Sequence, residues 1–244
     1  MRVRDIVRGA NQPAGKQSPW FKSKGCHYTR TTGIWQTVWL EAMDPCGLRS
    51  VHVLPDLEGA CFTVVPAYYA VRTGLRLMAR AEADGRVFAE ADVTAAGGAA
   101  VVLHLNKARP WCPENPFLYD IVLRVVDADG TTIDEVRSYA GLRKVHIEGN
   151  RVFLNNQPLY QRLVLDQGFY PDGIWTAPND EALKNDIILS MKAGFNGARL
   201  HQKVFEERFH YWADRLGYLT WGESASWGCD YNTIEAARNF VGEW

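Results

Sequence analysis

Cysteine is sparse and carries no pattern. Cys26, Cys46, Cys61, Cys112 and Cys229 are odd in number and far apart, with none of the close spacings that zinc sites and dithiol redox motifs use. No metal and no cofactor are therefore expected. No apolar run reaches the roughly 18 residues that a membrane span requires, and residues 1–9 are charged where a secretory leader would be apolar. Free thiols and the missing leader favour a reducing, cytoplasmic setting without a membrane partner. An excess of one charge is missing too: 27 Lys and Arg stand against 28 Asp and Glu, a net charge of -1. That balance gives no sequence-wide attraction to nucleic acid and suits a neutral or weakly charged ligand. Glycine-rich phosphate loops, Gly-x-Ser-x-Gly elbows and His-Glu-x-x-His helices are also absent, so nucleotide, esterase and zinc-protease chemistry have no support.

What is present is apolar and aromatic. Of the 244 residues 47% are hydrophobic and nine are Trp, enough for one large domain or two ordinary ones. Trp faces suit sugars, and they also pack in sandwich cores; composition leaves both open.

Three regimes follow along the chain. In residues 1–44 a charged strand, Arg2-Val3-Arg4-Asp5-Ile6-Val7, and an alternating one, Gly33-Ile34-Trp35-Gln36-Thr37-Val38-Trp39-Leu40-Glu41, flank a polar loop. Two or three strands cannot close a sheet by themselves, so these need partners from elsewhere. Residues 45–144 alternate in short runs between turn signals at Asp84-Gly85, Gly97-Gly98 and Asp129-Gly130. In Tyr119, Ile121, Leu123 and Val125 one face is apolar, while Asp120 and Arg124 face the other way. About 100 residues of this kind suggest an immunoglobulin-like β-sandwich, without the Cys-Trp-Cys framework of antibody domains.

From residue 145 the period changes. A hairpin returns through Arg151-Val152-Phe153-Leu154, and residues 161–166 form a buried strand ending in Asp166. A helix entered after Pro178 and Asn179 carries Leu183, Ile187 and Met191 on one face and stops at Gly194. A second unit pairs the strand at residues 196–200 with a helix showing Phe205, Phe209, Trp212 and Leu216, closed by Gly217. A third pairs residues 218–222 with a stripe of Ile234, Ala237, Val241 and Trp244. Three strand-helix units in series argue a parallel sheet covered by helices.

Polar residues just beyond the strands of such sheets are the candidates for chemistry. They are Asp166 with Gln167 and nearby Tyr170, Arg199 and His201, and Glu223. Each also has a plain structural use: Asp166 can cap a turn, Arg199 can pair with an acid, and His201 can sit satisfied at a rim. Glycoside hydrolysis needs two carboxyls, roughly 5 Å apart when configuration is retained. Asp166 and Glu223, one strand apart, lie within side-chain reach at a backbone separation on the order of 9 to 10 Å. Glu206-Glu207 falls in a helix where adjacent positions do not face each other and is expected to be a solvated surface.

Four ordered stretches carry a resemblance to family 2 glycoside hydrolases, the group of beta-galactosidases, beta-glucuronidases and beta-mannosidases. They are residues 28–41, Pro110-Trp111-Cys112-Pro113-Glu114-Asn115-Pro116-Phe117-Leu118-Tyr119, Gly141-Leu142-Arg143-Lys144 with Phe153-Leu154-Asn155-Asn156-Gln157-Pro158, and residues 194–201 through Trp221-Gly222-Glu223. The resemblance implies the last strands of a jelly-roll sugar-binding domain in residues 1–44 and an immunoglobulin-like sandwich in 45–144. It implies the first three strand-helix units of a TIM (β/α)8 barrel in 145–244.

It further implies a retaining β-glycosidase, with a Glu acid/base after the fourth barrel strand and a Glu nucleophile after the seventh, hence no catalytic residue within the chain and both expected beyond Trp244. No Asn-Glu pair of the kind expected for the acid/base follows Trp221. Arg199, His201 and Glu223 match sugar-pocket positions and Asp166 matches less clearly, while residues 163–167 depart from the Gly-Val-Asn-His type run of typical beta-galactosidases. A carbohydrate is the expected partner, the segment alone is expected to be inactive, and an open sheet edge favours a homo-oligomer. A non-catalytic carbohydrate-binding or scaffold module is the competing reading.

Overall fold

The computed structural model describes residues 12–230, 232–234 and 236–238. The chain forms two compact units: Leu40–Tyr160, and a discontinuous one joining the residues up to Trp39 with those from Gln161 onward. This grouping runs across the expected boundaries at 44 and 144.

The unit Leu40–Tyr160 holds two antiparallel sheets around one core. The first orders β1 (Leu48–Asp56), β2 (Cys61–Tyr68) and β5 (Val101–His104) as β1-β2-β5. The second orders β3 (Arg76–Ala83), β4 (Arg86–Thr94), β6 (Tyr119–Val126) and β7 (Thr132–Ala140) as β4-β3-β6-β7. Period-two alternation builds the core: Tyr119, Ile121, Leu123 and Val125 are fully buried, as are Leu77 and Ala81 across the ladder, while Asp120 faces water. Asp84 and Gly85 link β3 to β4 with positive φ at both positions, the turn whose twist matches paired strands.

β8 (Val145–Glu148), β9 (Arg151–Leu154) and β10 (Gln157–Pro158) form an antiparallel meander in the same unit. Asn155 locks it in place. The Lys144 amide donates to its side-chain oxygen at 3.1 Å, and its side-chain amide donates to the Trp111 carbonyl at 2.9 Å. The Arg143 guanidinium lies 4.8 Å from the centre of the buried Trp111 ring. Two of the stretches that carry the family resemblance are thus bonded to each other.

The discontinuous unit contains β11 (Leu163–Asp166), α1 (Asp180–Lys192), β12 (Gly197–Leu200), α2 (Glu207–Leu216) and β13 (Leu219–Trp221). The sheet β11-β12-β13 is parallel throughout, as three strand-helix units require. Asn179 caps α1 by accepting from the Ala182 amide at 2.9 Å, and Gly217 ends α2 in the left-handed conformation that spares glycine a Cβ clash. Leu183, Ile187, Phe209 and Ala213 of the helices bury Ala198 and Leu200 of β12. Leu165, Arg199 and Trp221 are in register on the opposite, uncovered face, where Leu165 is 47% and Trp221 53% exposed.

Several sequence expectations are corrected. Residues 33–41 form no strand, and Ile34, Val38, Trp39 and Leu40 are exposed; a ladder needs a neighbouring strand, and no sheet of the described residues includes this segment. β11 is only half-buried because its outer edge and one face lack neighbours. Met191 is 37% exposed, past the covered part of α1. Residues 234 and 236–238 are helical, but Ala236 is the buried one while Ile234 and Ala237 face water. The expected strand at residues 2–7 and the stripe positions Val241 and Trp244 lie outside the described residues.

Candidate functional site

The carboxyl ends of β11, β12 and β13 bring Asp166, residues 199–203 and residues 223–227 to one end of the parallel sheet. Arg199 and Glu223 meet: the guanidinium Nε donates to Glu223 Oε2 at 2.7 Å. The Gln202 amide N–H donates to the other carboxylate oxygen at 3.0 Å. Burial works to raise the pKa of Glu223. The hydrogen bonds from Arg199 and Gln202, with the charges of Arg199 and His201, outweigh it and hold the carboxyl below the usual glutamate range. Glu223 is therefore an ionised acceptor near neutral pH.

Gln202, 4% exposed, organises the loop after β13. Its side-chain oxygen accepts from the Ser226 and Trp227 amides at 3.0 and 2.9 Å, and its side-chain nitrogen donates to Ser226 Oγ at 2.7 Å. The amino-terminal segment crosses the same loop. The amides of Ala14 and Gly15 donate to the Trp227 carbonyl at 2.7 and 3.0 Å. Gly15 has φ +55, and a Cβ there would stand 2.4 Å from the Gln202 carbonyl oxygen, so only glycine permits this approach.

Asp166 takes the structural role open to it. Its Oδ1 accepts from the Gly168 amide at 2.8 Å, which caps the turn. Burial raises its carboxyl above the ordinary value, with the Gly168 amide and Lys203 opposing and Asp186 adding. The end of the sheet thus holds one carboxyl kept ionised and one shifted toward the neutral form.

Lys203 is 2% exposed. Its ammonium donates to the Gly168 and Trp175 carbonyls at 3.0 and 2.8 Å and faces the rings of Trp35, Phe205 and Trp175 at 4.8, 5.0 and 5.5 Å. It clips the two ends of the loop after β11. Desolvation lowers its pKa to about 8, against the charges of Glu206 and Asp166. Tyr28 donates to Gln167 at 3.0 Å and is pushed up to about 12, by burial first and Asp166 second. Tyr170 donates to Asp186 Oδ2 at 2.8 Å, and burial with that acid raises it further still.

His201 lies beside Glu223 and Trp227, its ring centre 5.8 Å from that of the indole. Burial lowers its pKa, with Glu223 opposing and Lys16 and Arg199 reinforcing. The Glu206-Glu207 expectation divides: Glu207 is exposed, but Glu206 is half-buried with a carboxylate oxygen that finds no hydrogen-bond partner, and burial raises it. Glu206 precedes α2 rather than lying within it, which is why helix spacing misplaced it. Among the described residues no three His, Cys, Asp or Glu side chains converge on a metal-sized site. No helix among them is long and apolar enough to cross a membrane, and all five cysteines are free thiols.

The site draws on residues that the sequence did not single out. Gln202 and Lys203 directly follow His201, so the rule that reached His201 extends to them. Lys16 and Trp227 gave no such signal, because their place depends on the amino-terminal segment folding back.

Residues 73–143 match the family described as Glycosyl hydrolases family 2. A beta-galactosidase of Vibrio vulnificus strain YJ016 is 29% identical over 122 residues, 50% of this chain and 12% of that protein. A Vibrio cholerae beta-galactosidase is 30% identical over 107 residues, 44% of this chain and 10% of that one. The structure of a β-glucuronidase from Ruminococcus gnavus in complex with D-glucuronic acid is similar with a TM-score of 0.69 and 25% identity, over 81% of this chain and 33% of that chain. The chain thus spans about a third of that β-glucuronidase and about an eighth of the Vibrio vulnificus beta-galactosidase.

Proposed function

We propose that the chain is a segment of a glycosyl hydrolase of family 2, a reading supported by the family match and by the similar beta-galactosidases and β-glucuronidase, and that the protein it builds hydrolyses β-glycosides with retention of configuration. In this reading residues 1–44 close a jelly-roll sugar-binding domain, residues 45–144 are an immunoglobulin-like sandwich, and residues 145–244 begin a (β/α)8 barrel. The catalytic Glu pair lies beyond Trp244. Arg199, His201, Glu223 and Asp166 form one wall of the sugar pocket.

The observation that carries the reading is the state of Glu223. A carboxylate held ionised by Arg199 and Gln202 at a strand end is a poor proton donor and a good acceptor for sugar hydroxyls. That suits substrate binding; what argues against Asp166 and Glu223 as the acid and nucleophile of retaining chemistry is that Arg199 and the Gln202 amide occupy both Glu223 oxygens and that Asp166 caps the turn at Gly168. The complex of the similar Ruminococcus gnavus enzyme with D-glucuronic acid supports a monosaccharide unit as the ligand.

The test is turnover of nitrophenyl β-galactoside, β-glucuronide and β-mannoside by the 244-residue chain. No hydrolysis is expected. Turnover abolished by Glu223→Gln would overturn the reading and make Asp166 and Glu223 the catalytic pair.

A further inference from the structure

Glu206 takes no part in the arrangement at the strand ends. It precedes α2, is half-buried, and lines a cavity of about 430 Å³ within the discontinuous unit, a size ordinary for small-molecule sites. The Ala177 amide donates to its carboxylate, and Oε2 is buried without a hydrogen-bond partner. An acceptor kept from water with no donor is costly, and a ligand hydroxyl entering this cavity would relieve it.

A second wall comes from the amino-terminal segment. Trp35 lines the cavity and is held in place: its ring packs on that of Trp175 at 5.6 Å and on the Lys203 ammonium at 4.8 Å, and its carbonyl accepts from Thr176 Oγ1 at 3.1 Å. Gln36 pins the same stretch by donating to the Val204 carbonyl at 3.3 Å. Thr37 follows on the lining with a hydroxyl that has no hydrogen bond among the described residues. Asn179 adds its side-chain amide, whose oxygen caps α1 and whose NH2 group remains as a donor.

The charges around the cavity are already matched. Asp180 accepts from the Arg208 guanidinium at 2.9 and 2.7 Å and from Trp212 Nε1 at 3.0 Å. The Glu206 carboxylate and the Lys203 ammonium attract each other. Neither a cation nor an anion would gain a net counter-charge here. A neutral ligand with several hydroxyls would give Thr37, Asn179 and Glu206 a partner each, and the indole offers the flat apolar face on which a pyranose ring stacks.

We propose that Trp35, Thr37, Asn179 and Glu206 form a binding site for a neutral sugar ring. Glu206 accepts from one ring hydroxyl, the Asn179 NH2 donates to another, and Thr37 completes the polar side. The site shares no residue with Asp166, Arg199, His201 and Glu223, so it goes beyond the glycosidase reading and can stand or fail without it.

Isothermal titration calorimetry of the 244-residue chain with methyl β-galactoside and methyl β-glucoside tests the site, with choline as a cationic probe. Thr37→Val keeps the side-chain shape, and Asn179→Asp keeps the α1 cap while removing the donor; Trp35→Leu and Glu223→Gln complete the set. One or both sugars are expected to bind, and to bind about fivefold or more weakly in Thr37→Val and in Asn179→Asp, the usual effect of one lost uncharged hydrogen bond. Trp35→Leu should abolish binding, and Glu223→Gln should retain it.

Sugar binding lost in Glu223→Gln but untouched by Thr37→Val and Asn179→Asp overturns this site and leaves the glycosidase reading standing. Choline bound in place of sugar, or no binding of either sugar, overturns the proposal. If Trp35→Leu does not fold, judged by circular dichroism, Thr37→Val and Asn179→Asp decide.

Discussion

Lys203 makes the stability of the discontinuous unit depend on pH in an unusual direction. Its ammonium is buried, and desolvation brings its pKa from the ordinary 10.5 to about 8. In the unfolded chain the amine keeps its proton up to about pH 10.5, whereas the folded chain releases it above about pH 8. Between those values the unfolded state binds more protons, so stability rises with pH. At roughly 1.4 kcal/mol per pKa unit, the gain from pH 7 to pH 9.5 is about 2 kcal/mol. Tyr28 and Tyr170 act the other way: their folded pKa values are raised, so they remove stability only once unfolded tyrosine ionises near pH 10. Urea unfolding between pH 7 and 9.5, followed by indole emission, measures the effect, since Trp35 and Trp175 stack on the ammonium. Lys203→Met should lose the slope. A flat or falling wild-type curve, or an equal slope in the variant, would refute the linkage.

Other perturbations test separate contacts. Gly15→Ala should lower the thermal midpoint of the same unit by several degrees and red-shift indole emission, because its Cβ is driven into the Gln202 carbonyl oxygen and Trp227 is released. Gln202→Ala leaves the Ser226 and Trp227 amides without their acceptor and removes the donor to Ser226 Oγ, while Glu223 keeps Arg199 and the backbone amide of residue 202. It should cost about 2 to 4 kcal/mol in chemical denaturation, and unchanged stability would show that the loop is held otherwise. Asn155→Ala should cost about 2 kcal/mol in the unit Leu40–Tyr160 through loss of its bonds to Lys144 and Trp111, with glycoside binding unaffected. The exposed row of Leu165 and Trp221, with β11 and β13 as open edges, should drive self-association. Sedimentation velocity is expected to show a dimer or larger species that Trp221→Lys weakens, against a compact monomer if the row is inert.

Periodicity was enough where each element carries its own signal. Tyr119, Ile121, Leu123 and Val125 announce β6 by alternation, and Leu183 with Ile187 announces α1 by helical spacing, because in both cases burial is one-sided. Gly33–Glu41 has the same alternation and forms no strand, since a ladder depends on a partner that no local pattern encodes. Among the candidate residues, Asp166, Arg199, His201 and Glu223 were reached from their places after parallel strands, and the structure joins Arg199 to Glu223 directly. Lys16 was invisible for a physical reason: net charge sums over the whole chain, whereas its burial against Trp227 arises from two segments some 200 positions apart in the sequence.

That separation bears on how the molecule comes to be folded. The clamp of Ala14 and Gly15 on the Trp227 carbonyl joins the earliest described residues to nearly the last, with the whole of Leu40–Tyr160 between them. On a ribosome the intervening unit has every one of its strands in hand before β11 is made. The amino-terminal segment must wait, with Tyr28 and Trp35 uncovered, until the loop beyond β13 has emerged. Closing so long a loop is slow, and the waiting indole and phenol rings are the surfaces a nascent chain would offer to a chaperone.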